Sequence, residues 1–336
     1  MFNNKTIFLT GGTGTFGKQF VKSCLKKFKP KKIIIFSRDE MKQYNMMNSF
    51  NVKENKVLRF FIGDVRDKAR LSIAMEKVDY IVHAAALKQV PSAEYNPFEA
   101  VKTNIIGAQN VIEVAIENGV KNTIALSTDK AVAPQNLYGA TKLTSDKLFV
   151  SANNIKGNKN IKFSIVRYGN VMGSRGSVIP YFLKFKNSNY LPITHRDMTR
   201  FNITIDEGVQ FVIDRFKNMW GGEIFIPKIP SVKITDVAKA IAPNAKHKII
   251  GLRPGEKIHE EMITTMDSYN ACEFKNYYVI MPDSKYIHWD KKRFLLKFSS
   301  TKGKMCKLGF SYNSLDNGKY LSVSEIKRLI KKDKII

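Results

Sequence analysis

The sequence predicts a doubly wound α/β fold, with a parallel sheet in the first half of the chain and a smaller α/β region after it. Short apolar runs rich in β-branched residues alternate with helical patterns through this first half. Strands that are apolar along their whole length are buried on both faces, as in parallel sheets whose strands are joined by right-handed crossovers. After about Asn170, loops rich in Gly, Ser and Pro interrupt the alternation.

The predicted elements follow one another in chain order. The six strands of the first half are KTIFLT, KKIIIFS, VLRFFIG, VDYIVHAA, NTIALST and KFSIVRYGN. The second half contains an amphipathic helix, TIDEGVQFVIDRF, and a strand flanked by prolines, GGEIFIPKIP. We therefore expect a sheet domain at residues 1–168, to which a segment at about 199–222 returns, and a smaller region at residues 169–336. Ligands of such sheets lie beyond the carboxyl ends of the strands, where the second region would cover them.

The composition limits the classes of protein to consider. A chain of 336 residues with 43% hydrophobic residues can bury a substantial core. Its cysteines, Cys24, Cys272 and Cys306, form no CxxC pair, and its histidines show no metal-ligand spacing. No apolar run has the length of a membrane span, and no signal peptide is recognisable. We expect a cytoplasmic protein without a disulfide framework, a bound metal or a membrane partner.

The formal net charge of +27 is large and raises the question of nucleic-acid binding. The lysines are spread along the chain, and no basic run is interleaved with aromatic residues as in single-strand-binding proteins. We therefore expect no nucleic-acid partner. A positive field would also suit a substrate that carries several phosphates.

A glycine-rich turn, TGGTGTFG, directly follows the first predicted strand and precedes a helix. Glycine allows a tight turn and a close backbone approach, so that a pyrophosphate can bind the amides at the start of the helix. Tight turns also use glycine for structural reasons alone, but this position favours a nucleotide. The candidate cofactor-binding residues are Gly11, Thr13, Gly14, Thr15, Phe16 and Gly17.

The second predicted strand ends at SRDEMK, where an NAD-binding chain usually places an acidic residue for the ribose hydroxyls. Here Ser37 is followed by Arg38, and Lys42 lies one helical turn further on. These residues favour a 2′-phosphate, and hence NADP. Asp39 is either a ribose ligand or the N-cap of the next helix, and we expect the N-cap.

Further cofactor contacts are predicted after the third and fourth strands. In GDVRD, Asp64 and Val65 are placed to contact the adenine, although surface-turn residues would look the same. In AAALK, Ala84 and Ala86 are expected near the cofactor, and Lys88 near the cofactor or a substrate diphosphate, unless it is a solvated surface lysine.

Tyr138 and Lys142 lie four residues apart in STDKAVAPQNLYGATK, which places them on one face of a helix starting near Leu137. A tyrosine exchanges a proton with a sugar hydroxyl only if its phenolate is accessible near neutral pH. A neighbouring ammonium and a cationic nicotinamide would lower its pKa. Together with the glycine turn, this pair predicts an oxidoreductive step.

The segment resembles the YxxxK catalytic unit of the extended short-chain dehydrogenases/reductases, in the branch that modifies nucleotide sugars. Thr128 matches the hydroxyl residue of that family's triad, and AAALK, RYGNV and RPGEK resemble further markers of the branch. The resemblance covers most of the chain. It implies an NADP-binding Rossmann domain at residues 1–168, a substrate-binding region at residues 169–336 and a homo-oligomer.

Asp129 and Lys130 distinguish between members of this branch. Epimerases generally lack an acid and base here, and retaining dehydratases have Asp followed by Glu. An Asp–Lys pair resembles the inverting UDP-N-acetylglucosamine 4,6-dehydratases of the pseudaminic acid pathway, which often serve flagellin glycosylation. The alternative for the pair is an exposed turn with a local ion pair.

The resemblance implies a role for each residue of this segment. Tyr138, supported by Thr128 and Lys142, takes the proton of the carbon 4 hydroxyl while a tightly bound, recycled NADP oxidises that carbon. Lys130 then removes the proton of carbon 5, and Asp129 protonates the hydroxyl that leaves carbon 6. To act as a base Lys130 must be neutral. Burial, Lys142 and the cofactor would lower its pKa, and an ionised Asp129 would raise it, so the pair is expected to titrate as a unit.

Other residues are candidates for binding UDP-N-acetylglucosamine. They comprise Lys88, Thr128, the loop residues Asn170, Ser174, Arg175, Gly176 and Ser177, and Arg200, Arg253 and Glu256 in MTRF and RPGEK. Hydroxyls, amides and guanidinium groups suit a diphosphate, and Glu256 suits ribose hydroxyls. Ordinary turn composition, or bracing of the second region by Arg200 and Arg253, are the alternatives. His83 at the end of a strand is expected to be a packed side chain.

Two other functions compete with dehydration. An epimerase or reductase of the same branch would not need Asp129 and Lys130 for turnover. A catalytically silent NADP sensor or a nucleic-acid-binding module would have no use for Tyr138 and Lys142. The intact YxxxK unit argues against the second alternative.

Overall fold

The computed structural model describes residues 1–174, 176–283, 287, 289–297 and 302–332. Arg175, one of the candidate substrate-binding residues, lies outside the described residues. The strands are β1 (Thr6–Thr10), β2 (Lys32–Ser37), β3 (Leu58–Ile62), β4 (Tyr80–His83), β5 (Asn122–Thr128), β6 (Lys162–Tyr168), β7 (Asn170–Val171), β8 (Tyr190–Ile193), β9 (Thr199–Ile203), β10 (Ile224–Pro227), β11 (Ser231–Lys233), β12 (Lys246–Ile249), β13 (Glu261–Ile263), β14 (Ala271–Glu273), β15 (Tyr277–Ile280), β16 (Lys304–Met305) and β17 (Tyr312–Asn313).

Helices connect these strands. They are α1 (Thr15–Lys27), α2 (Glu40–Met47), α3 (Val52–Asn55), α4 (Lys68–Ala74), α5 (Val90–Tyr95), α6 (Pro97–Val101), α7 (Gly107–Glu117), α8 (Leu137–Ile155), α9 (Val178–Leu183), α10 (Ile205–Asn218), α11 (Ile234–Ile241), α12 (Lys291–Lys297) and α13 (Val323–Lys332). A π-helical turn, Lys102–Ile106, joins α6 to α7, and single 3₁₀ turns lie at Asp129–Ala131 and Asp267–Asn270.

The main sheet confirms the predicted doubly wound α/β fold. Within the described residues its order is β16-β14-β15-β10-β6-β5-β4-β1-β2-β3. The strands from β3 to β10 in this order are parallel, and β15, β14 and β16 add an antiparallel edge. The strand order reverses between β1 and β4, and a ligand crevice is expected there, beyond the carboxyl ends of the strands.

Two apolar layers cover the main sheet. On one face α1 and α10 pack together, and Phe20, Val212 and Phe216 belong to the same core. The other face packs against α4, α7 and α8. The second half of the chain therefore supplies both a covering helix and four strands of the main sheet, although we assigned residues 169–336 mostly to a separate region. The division at residue 168 stays a prediction.

The rest of the second half forms a small region with its own core. Strands β8 and β12 pair in parallel, β9 pairs with β7 and β11, and β13 pairs with β17. Buried residues of α9, β8, α11 and α13 pack together there, among them Phe182, Ile193, Val237 and Ile326. This region lies against the carboxyl ends of the sheet strands, since residues of both border the cavity described next.

Two absences concern the described residues alone. None of their helices combines the length and the apolar character that crossing a lipid bilayer requires. Within the same part of the chain, no three His, Cys, Asp or Glu side chains are grouped as a metal site would need.

Candidate active site

A cavity of about 1500 Å³ opens at the carboxyl ends of the sheet strands, between the sheet and the small region. It brings most of the predicted site residues together. The predicted residues that border it are Gly11, Thr13, Gly14, Thr15, Phe16, Ser37, Arg38, Lys42, Asp64, Val65, Ala84, Ala86, Lys88, Thr128, Lys130, Tyr138, Lys142, Asn170, Ser174, Gly176, Ser177, Arg200, Arg253 and Glu256. Gly17 and Asp129 lie behind its wall.

The glycine turn forms one end of this cavity. Gly11 has φ +64, and a Cβ there would lie 2.9 Å from the backbone nitrogen of Ala85. A Cβ on Gly17 would lie 2.2 Å from the carbonyl oxygen of Gly12, so only glycine lets α1 start so close to the turn. The N-cap of α1, Gly14, offers no side-chain cap, which leaves the first helical amides to a ligand. The turn therefore fits a dinucleotide pyrophosphate.

The end of β2 borders the cavity with two basic side chains and one acidic one. The Asp39 carboxylate accepts a hydrogen bond from the Lys42 amide at 2.9 Å, which confirms that Asp39 is the N-cap of α2. It also lies 2.5 Å from Lys42 Nζ. The Ser37 hydroxyl accepts a hydrogen bond from Gln43. Arg38, which is half exposed, lies 3.6 Å from the Asp64 carboxylate. Basic and acidic groups thus share this end of the cavity.

Asp64 forms the neighbouring part of the wall together with the buried Val65. Partial burial raises the pKa of Asp64, but hydrogen bonds from Arg66 and the charge of Arg38 outweigh this and leave the pKa lowered. The carboxylate is therefore ionised and turned toward its own loop. At the end of β4, His83 is buried and hydrogen-bonded to the Thr10 hydroxyl at 2.9 Å. Burial and the charge of Lys142 lower the pKa of His83 to about 3, so it is the packed, neutral side chain that was predicted.

Tyr138 and Lys142 lie on one buried face of α8, in its first two turns. Asn136 caps this helix by accepting a hydrogen bond from the Gly139 amide. Burial raises the pKa of Tyr138 to about 12, although the Lys130 ammonium acts in the opposite direction. Burial lowers the pKa of Lys142, an effect that the charge of Asp146 partly offsets. Among the protein groups alone, loss of hydration outweighs the nearby positive charge, and the lowering of the tyrosine pKa by an ammonium together with a cationic nicotinamide stays a prediction.

Asp129 and Lys130 form the 3₁₀ turn that follows β5. This turn packs so closely on α8 that a Cβ on Gly139 would lie 2.1 Å from the Lys130 carbonyl oxygen. Lys130 Nζ lies 3.1 Å from Asp129 Oδ1 and donates to Asn170 Oδ1 at 3.3 Å. The Thr128 hydroxyl also donates to Asp129 Oδ1, at 3.0 Å. The pair is therefore no exposed surface turn.

Asp129 is completely buried, and its other oxygen, Oδ2, has no hydrogen-bond partner among the described residues. Burial raises its pKa, and the Glu260 charge adds to this effect, while Lys130 opposes it. Thr128 and Lys130 border the cavity and Asp129 does not. The Asp129 carboxyl group contacts both of these neighbours, which therefore lie between it and the cavity.

Sequence reasoning missed Glu260, a buried residue just before β13. Its Oε1 lies 3.0 Å from Lys130 Nζ, so that Lys130 stands between two carboxylates. Burial lowers the pKa of Lys130, but Asp129 and Glu260 outweigh it, and the pKa is raised. The predicted balance for the Lys130 pKa, of burial, Lys142 and the cofactor against Asp129, did not include this second carboxylate. The only signal was the position of Glu260 three residues after RPGEK, in HEE, where Glu261 carries the same side chain.

Arg200 on β9 is buried, and its guanidinium is occupied by protein groups. It donates to the carbonyl oxygens of Thr199, Lys257 and Ile258 at 2.7, 2.8 and 2.9 Å. Glu256 Oε1 lies 3.5 Å from one of the terminal nitrogens of Arg200. These contacts hold the RPGEK loop, whose position against the catalytic segment is also secured by a hydrogen bond from Asn136 to the Gly255 carbonyl oxygen at 2.9 Å. The structure favours the bracing alternative for Arg200 over direct phosphate binding.

The loop after β6 forms the opposite wall. Gly176 has φ +78, and a Cβ there would lie 2.5 Å from the Gln89 side-chain nitrogen. The Ser177 hydroxyl is buried without a hydrogen-bond partner among the described residues, and Ser177 is the N-cap of α9. Arg253 lies over the Tyr181 ring, 5.9 Å from its centroid. The loop after β6 thus offers a hydroxyl, and the RPGEK loop a guanidinium, to a ligand in the cavity.

Comparisons with known proteins give the site its context. A sequence profile of the family described as "Polysaccharide biosynthesis protein" matches residues 7–282. A UDP-N-acetylglucosamine 4,6-dehydratase (inverting) from Campylobacter jejuni is 58% identical over 98% of this chain and 98% of its own length. A UDP-glucose 4-epimerase from Rickettsia bellii is 41% identical, covering 98% of this chain and 96% of its own.

Structural similarity agrees with these relationships. The crystal structure of Pen from Bacillus thuringiensis has a TM-score of 0.89 and 38% identity, and the match covers 100% of both chains. As the resemblance to the extended short-chain dehydrogenases/reductases predicted, the chain belongs to the polysaccharide biosynthesis protein family and is related to the inverting UDP-N-acetylglucosamine 4,6-dehydratases.

Proposed function

We propose that the protein is a hydro-lyase that converts UDP-N-acetylglucosamine to a UDP-2-acetamido-2,6-dideoxy-4-hexulose with inversion at carbon 5. One observation carries this proposal: the Lys130 amine borders the cavity beside Tyr138 and Lys142, with the buried Asp129 carboxyl directly behind it. An acid and a base next to an oxidoreductive tyrosine are what water elimination needs beyond epimerisation. The 58% identity to a curated enzyme of this name supports the same reaction.

A nicotinamide dinucleotide fits the end of the cavity formed by the glycine turn. When bound, it supplies a hydride acceptor for carbon 4 and a hydride donor for carbon 6. The residues that would hold it are Gly11, Thr13, Gly14, Thr15, Phe16 and Gly17 around the pyrophosphate, Ser37, Arg38, Lys42, Asp64 and Val65 at the adenosine end, and Ala84, Ala86, Lys88, Tyr138 and Lys142 toward the nicotinamide. We favour tightly bound NADP over NAD because Arg38 and Lys42 offer two cations to a 2′-phosphate.

The chain's own residues account for the two protons taken from the sugar and for the one given to the leaving hydroxyl; at the end carbon 5 takes a proton from the opposite face, which inverts this carbon. Tyr138 takes the proton of the carbon 4 hydroxyl, and the Lys142 ammonium next to it stabilises the phenolate. Lys130 then takes the proton of carbon 5, which the new ketone has acidified. Asp129 supplies the proton for the hydroxyl that leaves carbon 6. Because Asp129 lies behind the cavity wall, this proton reaches the sugar by way of Thr128 or Lys130.

The nucleotide sugar is proposed to lie between the loop after β6 and the RPGEK loop. Its diphosphate would contact Lys88, Ser174, Arg175, Ser177 and Arg253, with Gly176 allowing a close approach, and its ribose would contact Glu256. Asn170 and Thr128 are assigned to the sugar side, because both touch the Asp129–Lys130 pair. Arg200 is assigned to holding the RPGEK loop. A cytoplasmic homo-oligomer that serves pseudaminic acid synthesis and flagellin glycosylation completes the proposal on family grounds, together with the domain division at residue 168.

One incubation tests the reaction. Purified protein without added cofactor is mixed with UDP-N-acetylglucosamine in deuterium oxide, and the product is weighed and mapped by NMR. We expect a product that has lost one water and carries one deuterium on an inverted carbon 5. An epimerised sugar that has lost no water would instead favour the second candidate function, that of a 4-epimerase. The 41% identity to the Rickettsia UDP-glucose 4-epimerase supports this candidate. Unreacted sugar would overturn both for this substrate.

The cofactor proposal has its own test. The nucleotide released by acid denaturation of the purified protein is identified by chromatography. NADP is the expected species, and NAD alone would contradict the assignment of Arg38 and Lys42 to a 2′-phosphate.

A further inference from the structure

Glu260 lies beside the proposed base and has no part in the mechanism above. Its side chain is 3% exposed, and its Oε1 lies 3.0 Å from Lys130 Nζ. The Arg200 Nε atom is further away, at 3.8 Å. Lys130 is therefore the closer cationic partner of this carboxylate.

Arg200 does not depend on Glu260 for its hydrogen bonds. Three backbone carbonyl oxygens accept from its two terminal nitrogens, and Glu256 provides a second carboxylate nearby. The Glu260 backbone is fixed separately, by a hydrogen bond from its amide to the Ser314 hydroxyl at 2.9 Å. A buried carboxylate that neither braces Arg200 nor holds its own segment has its main interaction with Lys130.

The charged and titratable groups that face Lys130 come from four elements. They are Asp129 on its own turn, Tyr138 on α8, Arg200 on β9 and Glu260 before β13. Arg200 and burial favour the neutral amine, and the two carboxylates favour the ammonium. Burial raises the pKa of Asp129, whereas for Glu260 the charges of Lys130 and Arg200 outweigh burial and lower the pKa, which favours the charged form of Glu260 next to Nζ.

We propose that Glu260 is a positioning residue that holds Lys130 Nζ at the cavity wall and sets the pH above which Lys130 acts as a base. The inference rests on the proposed function, in which Lys130 removes the carbon 5 proton. The ammonium must first lose a proton to become that base. A negative charge 3.0 Å away makes this loss harder, so it moves the onset of the step to higher pH.

The substitution E260Q tests this, because glutamine keeps the size and the acceptor oxygen and removes the charge. Two pH profiles are measured: the dehydration rate, and the acetylation of Lys130 in the sugar-free protein, followed by peptide mass spectrometry. Neutral amines react and ammonium groups do not, so the labelling reports the neutral fraction of Lys130 without any turnover. In E260Q we expect both midpoints to move to lower pH by about one to three pH units.

Two further variants complete the test. E260D moves the carboxylate away from Lys130 Nζ and is expected to shift both midpoints in the same direction by a smaller amount. This variant also provides the test if E260Q does not fold. E261Q makes the same substitution at the neighbouring residue, which does not border the cavity, and is expected to leave both midpoints unchanged.

The outcomes separate this inference from the function on which it rests. If E260Q slows dehydration equally at every pH and leaves the labelling midpoint in place, Glu260 is a purely structural residue and the inference is wrong. If the wild-type protein forms no dehydrated sugar, the proposed function fails. The labelling profiles then still decide whether Glu260 controls the charge of Lys130.

Discussion

The glycine turn, residues 11–17, and the charge cluster, formed by Asp129, Lys130, Arg200 and Glu260, border or support the same cavity but are built differently. The turn is made by the backbone of one short segment, in which Gly17 approaches Gly12 too closely for any Cβ. The cluster assembles side chains from the end of β5, from β9 and from the segment before β13. Substitutions should therefore affect the turn through volume and the cluster through charge.

The largest effect is expected from Lys130→Ala, which removes the central cation of the cluster. Loss of a general base slows the step by about 10²–10⁴-fold, so we expect dehydrated product to fall by this factor. Bound nucleotide should be retained, because the glycine turn is untouched. Product is measured by mass spectrometry and nucleotide by chromatography, with the exposed Lys147→Ala on α8 as a control. Loss of nucleotide in K130A alone would show that the two regions are not independent.

The next largest effect is expected from Asp146→Asn, on α8 behind the cluster. Its buried carboxylate accepts hydrogen bonds from Ser127 at 2.6 Å and from Arg167 at 3.2 Å. Without it the Arg167 charge is buried and unpaired, which costs about 3–5 kcal/mol of the free energy of unfolding.

Urea unfolding measures this cost against Asp214→Asn, which disturbs the exposed pair with Lys217 and should cost at most about 1 kcal/mol. Equal losses in the two variants would contradict the view that buried charge holds this part of the molecule together.

Gly17→Ala tests the other region and should be less costly than D146N. The added methyl group would lie 2.2 Å from a backbone oxygen, and overpacking of this kind costs about 1–3 kcal/mol. We also expect weaker nucleotide binding, because α1 must move away from the turn. Thermal unfolding and nucleotide titration check both effects. The control Gly208→Ala in α10, whose nearest neighbours lie at 3.9 Å, should instead stabilise by about 0.5–1 kcal/mol.

The smallest effect is expected at the adenosine end, from Asp39→Ala. Loss of the α2 N-cap costs about 1 kcal/mol, and removal of one acidic charge beside Arg38 and Lys42 should increase the preference for NADP over NAD. The matched control is Asn51→Ala, which removes the N-cap of α3. It should cost a similar amount of stability and leave the cofactor preference unchanged. An unchanged preference in D39A would show that Asp39 acts only as a cap.

Much of the fold followed from the sequence because its signals are local. Each of the six predicted strands overlaps a strand of the main sheet, and TIDEGVQFVIDRF forms α10. The sequence did not predict that β14, β15 and β16 extend the sheet, because these strands are short and the β14–β15 hairpin joins the sheet through the distant strand β10, where Ile224 pairs with Ile280. Pairing of this kind depends on the whole chain and leaves little periodicity in any one segment.

The candidate site shows the same difference between local and long-range signals. The glycine turn, the Asp39 cap and the common helix face of Tyr138 and Lys142 could be predicted, because each depends on residue types and spacing within one segment. Three features required the folded chain: Asp129 lies behind the cavity wall, carbonyl oxygens accept the hydrogen bonds of the Arg200 guanidinium, and Lys130 is held between two carboxylates. Burial and charge at these positions arise from segments that are far apart in the chain, as Lys130 and Glu260 are. Their effect on a pKa therefore exists only once the chain has folded.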